Sequence, residues 1–317
     1  MVARLFGPPD TLENLEDVLA DQARGQEDRR IHSDRVLATR DGALRVGGRV
    51  FRLRPEALKQ LATRLRVPAS YLTRCPSELA ATNLNQWLRR LDRELLVRID
   101  GGEIRAVLSA RYRPISHLEL VRAATRGLSR HTPVRYELGP RHFAAQILSH
   151  DALSGGDLHG GVHLGNSETG HRVVELQALV YRVVCLNGLI LTDAAATLQR
   201  RHTRAPEATL DEAYRMAGEA WQVAERSRDR FHAVRSVRVP GPKLALERIA
   251  DRYQLGPEIR EALLRAFDLE PGASLFEVIN AVTRAGNDGR LPLPDRMELQ
   301  QLGGKILDLA AKGKRWL

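Results

Sequence analysis

The stretch that most constrains the fold runs from Gly160 to Leu191, GGVHLGNSETGHRVVELQALVYRVVCLNGLIL. Gly165 and Gly170 can take positive φ, and Asn166 and Ser167 can hydrogen-bond nearby backbone. The run from Asn166 to Gly170 therefore predicts a tight reversal between two extended segments. Beyond it Val174, Leu176, Ala178 and Val180 alternate against Glu175, Gln177 and Tyr181, the period of a half-buried strand. Val180, Val183 and Val184 also fit a helical stripe, so the two periods overlap there. Asn187-Gly188 is expected to end the element under either reading, because both residues tolerate a left-handed backbone.

The Asn166-Ser-Glu-Thr-Gly170 turn is followed by Tyr181-Arg-Val-Val-Cys-Leu-Asn-Gly188. Ala110-Arg-Tyr-Arg-Pro-Ile-Ser116 lies upstream and Phe276 to Asp288, FEVINAVTRAGND, downstream. This ordered series resembles a phage- and plasmid-associated family described as domain of unknown function 932, over roughly Leu53 to Leu307. The resemblance implies a mobile-element origin and a role near DNA. It supplies no catalytic residues.

The rest of the chain mixes strand and helix signals. Residues 1–34 carry charges of both signs and a short helix from Thr11 through Ala23, with Leu12, Leu15, Val18 and Leu19 on one face, and read as a docking arm. Residues 35–53 form a meander with turns at Asp41-Gly42 and Gly47-Gly48. Pro55 at a first helical position opens a helical insert, residues 55–92. Within it Leu61 to Arg74 resembles a helix-turn-helix unit that would point Ser70, Tyr71 and Arg74 at a major groove, although Pro76 cuts the second helix short. Its last helix carries Leu79, Leu84, Trp87, Leu88 and Leu91 on the expected inward stripe.

Residues 94–109 form a hairpin about Asp100-Gly101-Gly102, with Arg98 and Arg105 expected on the polar faces of its strands. Ser116 caps a helix, and another strand pair flanks Gly139-Pro140. The Gly-Gly pairs at 47, 101, 155, 160 and 303 read as turns or loop ends. Past a boundary near Arg204 the pattern is helical. The expected fold class is α+β: an antiparallel sheet with inserted helices in a core over residues 35–204, then a mostly helical region over 205–317.

Composition limits the function classes. No run approaches the roughly 18 apolar residues of a membrane span, and the first ten residues, MVARLFGPPD, lack a signal peptide's apolar core, so a cytoplasmic protein without a membrane partner is expected. Cys75 and Cys185 stand in no metal-ligand spacing and read as inert buried thiols. The net charge of +10 favours a polyanionic partner through counterion release. Arginine outnumbers lysine 44 to 5, a bias that base composition of a genome can also produce.

Catalytic signals are few. His150, Asp151, Asp157, His159, His163, Glu168 and His171 gather around several glycines, and His159, His163 and His171 are candidate metal ligands, yet no HExxH, paired CxxC or P-loop accompanies them. No cofactor is expected. Candidate nucleic-acid contacts are Arg98 and Arg105 on the hairpin, Arg111-Tyr112-Arg113 with a stacking ring between two cations, Arg172 and Arg182 beside the sheet, and Arg200, Arg201 and Arg204 in a basic run.

The expected function is non-catalytic DNA binding, non-specific and leaning to single strands, in recombination, repair or replication. The expected assembly is a homo-oligomer, by analogy of fold with phage single-strand annealing proteins. A helix-turn-helix duplex regulator or origin binder, and a metal-dependent nuclease, are the alternatives.

Overall fold

A computed structural model describes residues 9–152, 158–182, 187–191 and 196–317. Asp157 and Cys185 lie outside the described residues, as does the Gly-Gly pair at 155, and of His150 and Asp151 only the backbone is described.

The chain is α+β, with two sheets. It opens with β1 (Asp10–Thr11), α1 (Leu12–Arg24), β2 (Gln26–His32), β3 (Val36–Ala38), β4 (Leu44–Val46) and β5 (Arg49–Leu53). Three helices follow, α2 (Pro55–Leu65), α3 (Ala69–Arg74) and α4 (Ser77–Leu91), then the hairpin β6 (Glu94–Asp100) and β7 (Glu103–Ser109). These strands build a six-stranded sheet in the order β2-β6-β7-β5-β4-β3, antiparallel except where β5 lies parallel to β7. Gly42, Gly47, Gly48, Gly101 and Gly102 all have positive φ, the geometry that the expected turns require.

The second sheet follows α5 (His117–Ala124). It contains β8 (Pro133–Leu138), β9 (Phe143–Ala152), β10 (Leu158–Asn166), β11 (Val174–Arg182), β12 (Asn187–Ile190) and β13 (Thr197–Arg200). With β1 at its edge the order is β1-β8-β9-β10-β11-β12, and β11 shares its outer edge between β12 and β13. Residues 10–32, expected as an arm, thus place β1 in one sheet and β2 in the other. Asn187-Gly188 opens β12 rather than ending an element, and Gly160-Gly161 sits within β10 rather than at a turn.

Helices cover both faces of the seven-stranded sheet. On one lies α6 (Pro206–Ala233), whose Ala213, Ala217, Ala220 and Ala224 repeat at helical spacing against Val162, Leu164, Leu176 and Ala178. Alanine at those positions lets helix and sheet approach closely. Around it pack α7 (Pro242–Arg252), α8 (Pro257–Leu269) and α9 (Leu275–Ala285). Ser116 before α5 and Ser274 before α9 both form capping boxes, with Glu119 and Glu277.

The other face meets α10 (Leu293–Ala311), through Leu293 and Met297 against Ala144, Leu148, Leu179, Tyr181 and Ile190. A Cβ on Gly304 would stand 2.0 Å from the Ile190 carbonyl oxygen, so the helix rests on the β12 backbone itself. Gly303-Gly304 is therefore a contact surface inside a helix, not a loop end. No helix among the described residues is long and apolar enough to cross a membrane.

Candidate functional site

The Asn166 to Gly170 turn joins the two sheets. Asn166, Ser167, Glu168 and Thr169 are all buried, although a polar turn rich in hydrogen-bonding side chains ordinarily faces water. Asn166 Nδ2 donates to the Ile115 carbonyl at 2.9 Å, and Ser167 Oγ donates to the Arg141 carbonyl at 2.5 Å. Gln60 on α2 ties both sides together: its Nε2 donates to the Thr169 carbonyl at 2.7 Å while its Oε1 accepts from the Val107 N–H at 3.0 Å.

At the centre sits Glu168. Its Oε2 accepts from Arg105 Nη2 at 2.6 Å and its Oε1 from the His117 backbone N–H at 2.8 Å. Arg98 Nη1 stands 4.0 Å from Oε2 and donates to the Glu168 carbonyl at 2.5 Å, while Arg98 Nε donates to Asp28 Oδ1 at 2.7 Å. Burial alone would raise the Glu168 carboxyl, but His117, Arg105 and Arg98 outweigh it and hold the group down at about 2. Burial also pushes the His117 imidazole down to about 4, so near pH 7 that ring is neutral. The attraction acting on Glu168 at that pH therefore comes from the two guanidiniums and the His117 N–H.

Arg98 and Arg105, expected to face a polyanion, are consumed by this buried centre, each with a side chain only 6% exposed. Tyr112 is committed as well. Its hydroxyl donates to the Ser167 carbonyl at 2.6 Å and its ring stacks on His202, centroids 4.7 Å apart, so it offers no open face to a base. Arg182 pairs with Glu270 at 2.6 Å, and Arg200 Nε donates to Glu212 at 2.8 Å. Arg172 is half-buried beside β11.

The remaining cations converge. The Arg113 N–H donates to the His202 carbonyl at 2.7 Å, which lays the Ala110 to Ser116 segment alongside the Gln199 to Arg204 run. Arg111, Arg113 and Arg201 are exposed and form no ion pair among the described residues, and Arg204 reaches Glu212 only at 3.9 Å. Arg30 on β2 joins the same face, donating to the Ala110 and Tyr112 carbonyls at 2.6 and 3.3 Å. Two basic segments about 90 residues apart in sequence form one surface.

The histidine cluster disperses. Residues four apart on a strand are separated by roughly 13 Å, so His159 and His163 share a strand but cannot share an ion. His159 Nδ1 lies 3.2 Å from the Ser149 carbonyl, and His171 Nδ1 lies 3.0 Å from Thr169 Oγ1. His163 is fully buried beneath α10 in register with Gln146 and Gln177, and burial lowers it to about 3. Among the described residues no three His, Cys, Asp or Glu side chains are grouped to hold a metal.

The helix-turn-helix expectation meets a second helix of six residues, fewer than two turns. The Tyr71 hydroxyl accepts from Asn83 Nδ2 at 2.8 Å, tying α3 to α4. Trp87, expected inward, is 41% exposed, with Arg90 over its ring at 5.4 Å.

No curated protein and no solved structure matches the chain. A family model does, over residues 105–291, a span that takes in the buried turn, both basic segments and the Phe276 to Asp288 helix end. The chain belongs to the family described as domain of unknown function 932 (DUF932).

Proposed function

We propose that the protein binds nucleic acid without sequence specificity, with a lean toward single-stranded DNA, and acts without catalysis in phage- or plasmid-type recombination, repair or replication in the cytoplasm. The observation that supports this reading is the convergence of Arg111, Arg113, Arg201 and Arg204 on one exposed face, with Arg30 beside them and only Arg204 of the four within reach of a carboxylate, Glu212, among the described residues. Unpaired guanidiniums on a rigid double segment can hold successive phosphates and leave base edges free, which is what strand annealing needs. Because the Tyr112 and His202 rings are stacked on each other, the grip rests on phosphate contacts rather than on base stacking. Assembly into rings or filaments belongs to the same reading, and particle images of the purified protein test it.

The decisive measurement is a titration of labelled single- and double-stranded oligonucleotides over a salt series. Wild-type protein should bind single strands at least as well as duplex. The triple variant Arg111→Ala/Arg113→Ala/Arg201→Ala should lose about 2 from the slope of log K against log salt, at roughly 0.7 per lost phosphate contact. Indifference to both oligonucleotides at low ionic strength, or an unchanged slope in the variant, refutes the reading. Tight binding to one duplex sequence alone would favour a regulator instead.

A further inference from the structure

A cleft of about 480 Å³ opens between α2 and the segment that carries the buried turn. Its three cations come from two separate places: Lys59 and Arg64 from α2, and Arg141 from the β8–β9 connection. Glu56 is the one carboxylate among its lining residues. Arg64 Nε donates to the Val107 carbonyl at 2.8 Å, which fixes the guanidinium plane, while its terminal nitrogens donate to nothing among the described residues. Arg141 is held against Glu56 by bonds of 2.6 and 3.1 Å. Glu56 is lowered first by that Arg141 bond and only slightly by Lys59, which stands three residues on along α2.

The other walls are neutral. His171 reaches the cleft with Nδ1 3.0 Å from Thr169 Oγ1, whose hydroxyl donates to the Pro140 carbonyl, and burial, followed by the Arg141 charge, keeps the ring below its ordinary value. The floor is apolar: Leu108 is buried there, and a Cβ on Gly170, whose φ is +79°, would meet it at 2.9 Å. Three cations against one anion around a small apolar floor suit a group with at least two negative charges joined to a flat, weakly polar ring. The volume falls in the range of small-ligand sites.

We propose that this cleft binds the phosphate of a nucleotide, with Lys59, Arg64 and Arg141 on the phosphoryl oxygens and the base against Leu108 and Gly170. The site is separate from the exposed arginine face and does not depend on it. Arg141 is held by Glu56 until phosphate competes for it, so Glu56 sets the affinity. The phosphate can belong to a free nucleotide or to the 5′ end of a nucleic-acid chain.

Calorimetric titration of the full chain with inorganic pyrophosphate, ATP and adenosine tests the site. Pyrophosphate and ATP should bind, adenosine should not, Lys59→Glu should weaken ATP by about tenfold or more, and Glu56→Gln should tighten it about threefold. Lys59 is exposed, so its replacement leaves the core intact. The Arg111→Ala/Arg113→Ala/Arg201→Ala variant should bind ATP as wild type does, which separates failure here from failure of the DNA reading. A 5′-phosphorylated oligonucleotide that outcompetes its 5′-hydroxyl twin for ATP identifies a chain end as the ligand, and equal competition identifies the free nucleotide. Absence of ATP and pyrophosphate binding at low ionic strength, or undiminished binding in Lys59→Glu, overturns the proposal.

Discussion

Replacing Glu168 with glutamine is expected to lower the free energy of unfolding near pH 7 by about 3 kcal/mol, the cost of leaving buried guanidiniums without their counter-charge. Glutamine keeps the shape but has one accepting oxygen in place of two, so it serves either Arg105 or the His117 N–H and turns its NH2 toward the other donor, and the loss reports charge and a lost acceptor rather than packing. Urea unfolding at pH 7 measures it, and a variant as stable as wild type would show that the turn does not hold the sheets through this group. Replacing Glu168 and Arg105 together by leucine should recover part of the loss, because the uncompensated charge goes with its partner.

The same carboxylate sets an acid limit. Its folded-state value, about 2, lies below the ordinary 4.5. Its contribution is therefore complete above about pH 4.5 and is lost as pH falls toward 2, a span of about 3 kcal/mol. His117 and His163 act earlier in the descent. Both are held neutral in the folded state, at about 4 and about 3 against an ordinary 6.5, so protonation favours the unfolded chain once pH drops below about 6.5. Glu168→Gln should flatten the lower part of the stability profile and leave the His163 part in place, while the His117 part deepens because the carboxylate that favours its imidazolium is gone.

Gly304→Ala should cost about 3 kcal/mol, although alanine in a helix interior ordinarily adds about 1 kcal/mol over glycine. The sign reverses because the new methyl would lie 2.0 Å from the Ile190 carbonyl oxygen and 2.9 Å from its carbon, backbone atoms of a strand that cannot turn away. Gly303→Ala should cost somewhat less, since its Cβ meets the methyl of a side chain, Thr283, rather than strand backbone, although Thr283 is itself buried and held by its hydroxyl. Thermal unfolding of the two variants side by side gives the comparison. A neutral or stabilising Gly304→Ala would mean that α10 stands off from β12.

Local signals read well from the sequence because local physics decides them. Turns that demand positive φ, as at Gly42, Gly47 and Gly101, and helices with a serine cap and glutamate three residues on, as at Ser116 and Ser274, were legible residue by residue. The 3.6-residue stripe of α1 gave Leu12, Leu15 and Leu19 correctly, although Val18 stays 39% exposed. What escaped depends on partners far along the chain. The β2 sequence, QEDRRIH, carries no apolar alternation and becomes a strand only because β6 supplies a pairing edge. Glu168 lies 63 residues from Arg105, and no spacing rule connects a polar turn to an arginine in a hairpin.

For the site, the arginines split by surroundings rather than by identity. Arg98 and Arg105 are flanked by aliphatic residues on their strands, a context that buries a cation and obliges a carboxylate to join it. Arg111 and Arg113 flank a tyrosine in an irregular segment, where the guanidiniums stay in water. The juxtaposition of the Ala110 and Gln199 segments rests on the Arg113 to His202 backbone bond, which composition cannot reveal.

The edge pairing of Asp10 and Thr11 with Val134 and Pro133 has a consequence during synthesis. A ribosome adding 5–20 residues per second leaves α1 waiting on the order of ten seconds for the strand and helix that cover it. Throughout that interval the Leu12, Leu15 and Leu19 stripe is bare on the nascent chain, a ready target for chaperones that scan emerging polypeptides.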